Sequence, residues 1–387
     1  MAPMIKDQKK LSTHFLDWQS SENHFLLNPR LPESQQSSLK EMWVEGSEGL
    51  EGHVCVLTSG TTGSGNLKWI ALSKTALLNS AESVNQHLRS TNRDKWLHVL
   101  PDFHVGGLGI YARAFLSGSQ LIKISEWDGH AFVGAARSNE ATLSALVPAQ
   151  VYDLVQGNHR APKSLRAVVV GGGALTPSLY FKALDLGWPL LPAYGMTEAC
   201  SQIATASLDS IGRGAYPDLE VLAHLEVRTD PESRIQIKGP SLLTAIIEKI
   251  NGVTRCHDPK NEDWFCSQDR GEVLGRVLKI RGRIGDFIKI GGESVEVERL
   301  RSILEEARIQ QGVRGDLALL PVPDERLGHV IHLFAEESVS RNGLQDLVQA
   351  YHERVLGFEK IRKTHFISQL PRTALGKLIS SECLKLM

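Results

Sequence analysis

The sequence predicts an α/β fold in two unequal domains, a large N-terminal α/β domain and a small α+β domain after it. Three observations carry this. From Val54 onward, short apolar runs bounded by glycine alternate with amphipathic helical stretches, the pattern of strands and helices in turn. The length, 387 residues, exceeds what one ordinary core serves. Beyond Gly285 the texture changes to two amphipathic helices among short apolar runs.

Residues 1–50 are polar and weakly periodic, with a Ser/Gln-rich patch at 34–38, and read as loop and short helix. Residues 54–57 and 67–72 read as buried strands. Ser73 reads as the N-cap of a helix with Leu77, Ala81, Val84 and Leu88 on one face. A strand over 96–100 ends at Pro101. Residues 167–170 form a strand running into Gly171-Gly172-Gly173. Thr176-Pro177 supplies an N-cap and a proline at the first helical position, with Gly187 as the stop. In the C-terminal part, Leu300, Ile303, Leu304 and Ala307 mark one helix. Leu344, Leu347, Val348, Tyr351 and Val355 mark a second, ended by Gly357, and 317–320, 330–334 and 365–367 read as strands. The boundary falls in Gly282-Arg283-Ile284-Gly285, giving domains 1–282 and 283–387.

Bulk properties narrow the function classes. Apolar residues make up 42% and charged residues 22%, ordinary for a globular protein. The formal net charge of −1 supplies no global field for nucleic acid or anionic lipid, so no nucleic-acid partner is expected. No apolar run reaches the roughly 18–20 residues that span a bilayer. The N-terminal stretch has no apolar segment of the signal-peptide kind. Cys55, Cys200, Cys256, Cys266 and Cys383 are scattered, without a C-x-x-C pair, and read as reduced thiols of a cytoplasmic protein.

Five segments have chemistry written in them. Thr58-Ser59-Gly60-Thr61-Thr62-Gly63-Ser64-Gly65 places hydroxyls and glycines directly after a strand. Such backbone can approach a phosphate closely and donate to its oxygens. It is not a Walker loop, because Asn66-Leu67-Lys68 leads into another strand; by composition alone it is equally a flexible hairpin turn. In Ala193-Tyr194-Gly195-Met196-Thr197-Glu198 a tyrosine able to stack on a base, a phosphate donor and a carboxylate suited to Mg2+ lie close together. A capped helix start with a buried tyrosine would look the same. Asp269, before Arg270-Gly271, could accept both hydroxyls of a ribose, or simply sit in a turn. The remaining two are the run from Gly282 to Glu293, which contains Arg283, Gly291 and Gly292, and Pro371-Arg372-Thr373-Ala374-Leu375-Gly376-Lys377.

Their combination and order resemble the adenylate-forming superfamily of acyl-CoA synthetases, luciferases and nonribosomal adenylation domains, from about Val54 to Lys377. The resemblance implies an α/β domain of adenylate-forming type, shortened at its N-terminus, with a small mobile α+β C-terminal domain. It implies ATP, Mg2+ and coenzyme A as cofactors and co-substrates. By position, it implies that Thr58, Ser59, Gly60, Thr61, Thr62 and Gly63 wrap the β- and γ-phosphates. Gly171, Gly172 and Gly173 lie along the adenine and the acyl pocket. Tyr194 and Gly195 belong to the adenine site, Thr197 contacts the α-phosphate, and Glu198 binds Mg2+. Asp269 holds the ribose and Arg283 the ribose or phosphate. Lys377 bridges the attacking carboxylate and the α-phosphate, then withdraws as the domain turns about a hinge near Gly285, and Gly291-Gly292 line a pantetheine channel. His104, in Leu100-Pro101-Asp102-Phe103-His104, stands at the mouth of the acyl pocket; without the resemblance, a lone histidine near a strand end reads as structural.

The stretch Tyr194-Gly195-Met196-Thr197-Glu198-Ala199-Cys200-Ser201-Gln202-Ile203 is similar to the o-succinylbenzoate-CoA ligases of menaquinone synthesis, as is the 100–108 segment. That acid carries a second, unreacting carboxylate, which needs donors or a cation in its pocket. Ser201, Gln202 and Arg113 are the candidates; otherwise Ser201-Gln202 merely packs the turn after Glu198. Another aryl- or acyl-CoA ligase, an enzyme loading a carrier protein, and a non-catalytic binding protein built on this fold are the competing readings. Four features depart from the family pattern. Four residues rather than two separate Gly63 from Lys68, leaving the role of Lys68 open. Gln268 stands where a glycine is usual. Gly285 stands at the hinge where Asp or Lys is usual. The region before the phosphate loop is short, which implies a pocket open on that side or closed by a second copy in a homodimer.

Overall fold

The computed structural model describes residues 16–29, 31, 33–59, 67–283, 287–290, 293–324, 326–373 and 378–387. The chain forms two compact units, Met1–Ser267 with Glu272–Lys279, and Gln268–Gly271 with Ile280–Met387. A boundary drawn at one point of the sequence, after residue 282, could not show that 268–271 groups with the C-terminal unit.

In the larger unit a parallel sheet organises the rest. Its spatial order is Leu190–Met196, Ala167–Val170, Leu143–Leu146, Lys95–His98, Gln120–Lys123. Numbered along the chain, this is the 2-1-3-4-5 order of doubly wound folds, whose direction reverses between the first strand and the third. The helices Val105–Ser117, Gly129–Ser138, Pro148–Gln156 and Pro177–Asp185 make the crossovers. Successive strand residues point to opposite faces. Trp96, Leu143, Ala145, Ala167, Val169 and Leu191 accordingly pack in one core with Lys74–His87 and Val105–Ser117. Leu97, Leu146, Val168, Val170 and Leu190 pack in another with the other three crossover helices. Both faces being covered, Ala167–Val170 is buried at every position, which is why it reads as a continuous apolar run.

Local signals end the elements where the sequence expects. Ser73 Oγ accepts from the Ala76 amide at 3.0 Å, and Leu77, Ala81, Val84 and Leu88 are buried. Thr176 Oγ1 accepts from the Leu179 amide at 3.3 Å, with Pro177 opening the helix. The strand read over 96–100 is Lys95–His98, because the chain turns before Pro101, which has no amide hydrogen for a ladder. Beyond Leu190–Met196 the sheet continues through Ser201–Ala206, Leu219–Val221, Val277–Arg283, Phe265–Leu274, Arg234–Lys238 and Glu226–Thr229. In a second sheet His53–Ser59 and Leu67–Ser73 form an antiparallel hairpin, joined by Ala245–Ile250 and Val253–His257. Within residues 16–50, beside the helix Glu33–Gly46, the strand His24–Leu26 pairs in parallel with His53–Ser59; three residues are too few to show a period.

The smaller unit is a five-stranded sheet of Phe287–Ile290, Glu293–Glu296, Leu317–Asp324, Gly328–Glu336 and Ile361–Ile367. The helices Val297–Gln310 and Arg341–His352 pack on it through Leu300, Leu304, Leu344, Leu347 and Tyr351. The second helix stops at His352, not at Gly357, which instead opens the short turn Gly357–Glu359. Val355 still packs on the core from the connecting loop, so the apolar spacing outlasts the helix.

Candidate functional site

The carboxyl ends of the parallel strands are where an open α/β sheet receives ligands; Gly171–Gly173 follow Ala167–Val170 there, Thr197 and Glu198 follow Leu190–Met196, and His104 follows Lys95–His98. Thr58 stands near the end of His53–Ser59, and its buried Oγ1 has no hydrogen-bond partner among the described residues. Gly60, Thr61, Thr62 and Gly63 lie outside the described residues, as does the side chain of Ser59. The same holds for Gly285, Gly291, Gly292 and Lys377. Lys68 is placed by the hairpin: it faces Thr58 across the ladder, and its Nζ lies 3.4 Å from Glu198 Oε1. The two extra loop residues therefore do not keep Lys68 from Glu198.

The segment from Tyr194 to Glu198 is a strand end and a single 3-10 turn, Thr197–Ala199, from which Ser201–Ala206 returns antiparallel. The register slips between Tyr194 and Gly195. A Cβ at Gly195 would lie 1.7 Å from the Ser201 carbonyl oxygen, so only glycine permits this close approach. The Leu243 amide donates to the Glu198 carbonyl at 2.8 Å, fixing the turn from outside. Tyr194 is half-buried rather than enclosed at a helix start. The Glu198 side chain is 17% exposed. A single accessible carboxylate suits Mg2+, which completes its shell with ligand phosphate oxygens and water. Among the described residues no group of three or more His, Cys, Asp or Glu forms a cage.

His104 occupies the N-cap position of Val105–Ser117 without a side-chain cap bond, its ring 4.6 Å from that of Phe103. Burial pushes its pKa down to about 4, so the imidazole is neutral near pH 7. Gly171 donates to the Leu146 carbonyl at 3.2 Å. Gly172 takes a φ of +77°, turning the chain out beside Leu190–Met196.

Arg113 lies inside the unit, 2% exposed. Its Nη2 donates to Ser201 Oγ at 3.0 Å, and its guanidinium lies 5.6 Å from the centre of the Trp96 ring. Nε and Nη1 are buried without partners, and no carboxylate among the described residues pairs with it. Burial alone pushes its pKa down to about 10, still leaving it charged near pH 7. Gly109, one turn earlier, leaves it room, since a Cβ there would come within 3.1 Å of Nη2. Of the two polar candidates after Glu198, Ser201 meets Arg113, whereas Gln202 Oε1 accepts from Thr205 at 2.5 Å.

Asp269 and Arg283 both belong to the smaller unit. Asp269 lies within the strand Phe265–Leu274 rather than in a turn, and Arg283 Nε is 3.5 Å from its Oδ1. Sequence reading gave no role to Asp102, whose carboxylate gathers His98, Tyr111 and Lys123. The signal was a lone acid inside an apolar strand-to-helix turn.

Comparisons with known proteins bear on the family and the fold. The family model described as AMP-binding enzyme matches residues 25–231. The 2-succinylbenzoate–CoA ligase of Bacillus mycoides is 26% identical over 370 residues, covering 92% of this chain and 74% of that protein. The ligase of the same name from Bacillus licheniformis is 27% identical over 336 residues, covering 83% and 67%. Among solved structures, the o-succinylbenzoate CoA synthetase MenE of Bacillus subtilis in complex with its acyl-adenylate intermediate OSB-AMP has the same fold. Its TM-score is 0.73 at 23% identity, over 97% of this chain and 81% of that one. An E. coli MenE variant with bound OSB-AMS gives 0.71 at 21% identity, over 90% and 85%. With the family model spanning more than half its length, the chain belongs to the AMP-binding enzyme family.

Proposed function

We propose that this protein is an ATP-dependent acid–thiol ligase that converts o-succinylbenzoate to its acyl-adenylate and pyrophosphate, then to the CoA thioester, as a step of menaquinone biosynthesis. The observation that carries the choice of acid is Arg113, a buried cation with two nitrogens unpartnered among the described residues and Ser201 Oγ beside it. A charge in that setting is costly unless an anion shares it. A monoacid that spends its only carboxylate on phosphorus would leave Arg113 unpaired. A dicarboxylate has a second one to give it.

The chemistry asked of the other residues is electrostatic. The attacking carboxylate is already ionised near pH 7 and needs no general base, in keeping with a neutral His104. What opposes reaction is repulsion between that carboxylate and the phosphate oxygens, so pre-placed donors and cations act where charge develops. In this reading Thr197 donates to the α-phosphate, and Lys377 bridges carboxylate and phosphate. Lys68 passes from Glu198 to the nucleotide's phosphates, releasing the Glu198 carboxylate for Mg2+, which supplies charge neutralisation when bound. Asp269 accepts the ribose hydroxyls, leaving its Arg283 partner to contact phosphate or ribose. Five cysteines without a disulfide suit a cytoplasmic enzyme, and no helix among the described residues is long and apolar enough to cross a membrane.

The test is acid-dependent exchange of labelled pyrophosphate into ATP across a panel of acids. Exchange is expected with o-succinylbenzoate and not with benzoate or fatty acids, and o-succinylbenzoyl-CoA should form once CoA is added. Exchange restricted to long-chain acids would remove the substrate assignment, and no exchange with any acid would remove the enzyme assignment.

A further inference from the structure

The turn that presents His104 is held from behind by a polar cluster that the adenylation chemistry does not use. Asp102 Oδ1 accepts from His98 Nε2 at 2.8 Å and from the Tyr111 hydroxyl at 3.1 Å, and its Oδ2 accepts from Lys123 Nζ. Lys123 Nζ also lies 3.2 Å from the Tyr111 hydroxyl. The partners come from three elements. His98 ends the first parallel strand, Lys123 ends the second and is its register partner, and Tyr111 is on Val105–Ser117. His98 is fully buried, and its Nδ1 has no hydrogen-bond partner among the described residues, so Nε2 is the nitrogen that carries the proton to the carboxylate. Backbone contacts close the same turn. The His104 amide donates to the Pro101 carbonyl at 3.2 Å. A Cβ at Gly107 would lie 2.2 Å from the Pro101 carbonyl oxygen.

This arrangement leaves the turn little freedom. Asp102 is two residues before His104, and the carboxylate is tied at both oxygens to groups that strand pairing and helix packing already fix. A charge-assisted hydrogen bond is stronger and more directional than a neutral one. Simple strand capping would not require three donors from three elements on one carboxylate. We infer that Asp102 is a positioning residue, with His98, Tyr111 and Lys123 as its anchors, and that it sets the placement of the His104 ring for binding the acid. The inference rests on the reading of His104 as standing at the mouth of the acyl pocket.

The experiment is a double-mutant cycle between Asp102→Ala and His104→Ala, read as KM for the acid and KM for ATP in pyrophosphate exchange. Lys123→Met serves as an independent break of the same cluster, and thermal melts keep only variants that remain folded. Asp102→Ala should raise KM for the acid by about tenfold and change KM for ATP by less than about twofold. Asp102→Asn, which keeps an acceptor for His98, should recover part of the loss, and Lys123→Met should shift KM for the acid the same way. In the His104→Ala background, Asp102→Ala should have no further effect. Additive losses, or equal changes in both KM values, would overturn the positioning role. Wild-type protein inactive with every acid would instead strike the function proposed above; binding of a non-hydrolysable acyl-adenylate analogue to the same four proteins would then decide the positioning role, by the same presence or absence of additivity.

Discussion

Two charged sites in the larger unit follow opposite rules. Lys68 and Glu198 meet at 3.4 Å with side chains 19% and 17% exposed, each neutralising the other. Arg113 is 2% exposed, and among the described residues two of its nitrogens are unpartnered, with a hydroxyl and a ring beside the guanidinium. A partly hydrated pair is cheap to keep and cheap to rearrange, because water screens both members. A buried unpaired cation is tolerable only where something supplies the missing anion. The comparison teaches a division of labour. The exposed pair suits groups that exchange partners during the reaction, and the buried cation suits the fixed recognition of a substrate.

The largest effect should fall on the exchangeable side. Lys377→Ala should slow acyl-adenylate formation by about two decades or more, while thioester formation from preformed acyl-adenylate is largely spared. Single-turnover assays of each half-reaction check this, and equal loss in both would erase the distinction. Glu198→Gln should lower kcat for adenylation by about a hundredfold and raise the Mg2+ concentration needed for half-maximal rate. A magnesium titration measures it.

Acid should act on the buried groups. His104 and His224 are held at about 4 by burial, against 6.5 for an ordinary histidine. Between those values the unfolded chain binds more protons than the folded one, so stability falls as pH drops from about 6.5 to about 4, by up to about 3 kcal/mol per histidine. Urea titrations across that window should show it, and His224→Gln should flatten the slope. Gly195→Ala, which sets a methyl against the Ser201 carbonyl, should cost about 2 kcal/mol and lower Tm together with nucleotide affinity. The smallest effect expected is that of Thr176→Ala, about 1 kcal/mol through loss of the cap, with activity unchanged.

The same contrast governs what the sequence could reveal. Ala167–Val170 and the caps Ser73 and Thr176 were legible because burial on both faces and local hydrogen bonds leave signatures a few residues long. Tyr194, Thr197 and Glu198 were legible as a motif, since a tight turn forces them together. For Asp269 local grounds left a turn open beside a ribose acceptor, because the strand around it also has a sequence-distant neighbour, Arg234–Lys238. Of the cluster on Asp102 the sequence shows the lone acid but not its partners: Lys123 reaches it through parallel register, 21 residues along the chain. Arg113 sat in an otherwise apolar helix, and only packing shows that it points at Ser201 instead of snorkelling to water.

The most direct measurement of the central claim compares two acids on two proteins. In pyrophosphate exchange, Arg113→Met should raise KM for o-succinylbenzoate by about a hundredfold, leave KM for ATP near its wild-type value, and leave unchanged the weak activity with an analogue lacking the unreacting carboxylate. Equal losses for both acids, or none for o-succinylbenzoate, would contradict the account.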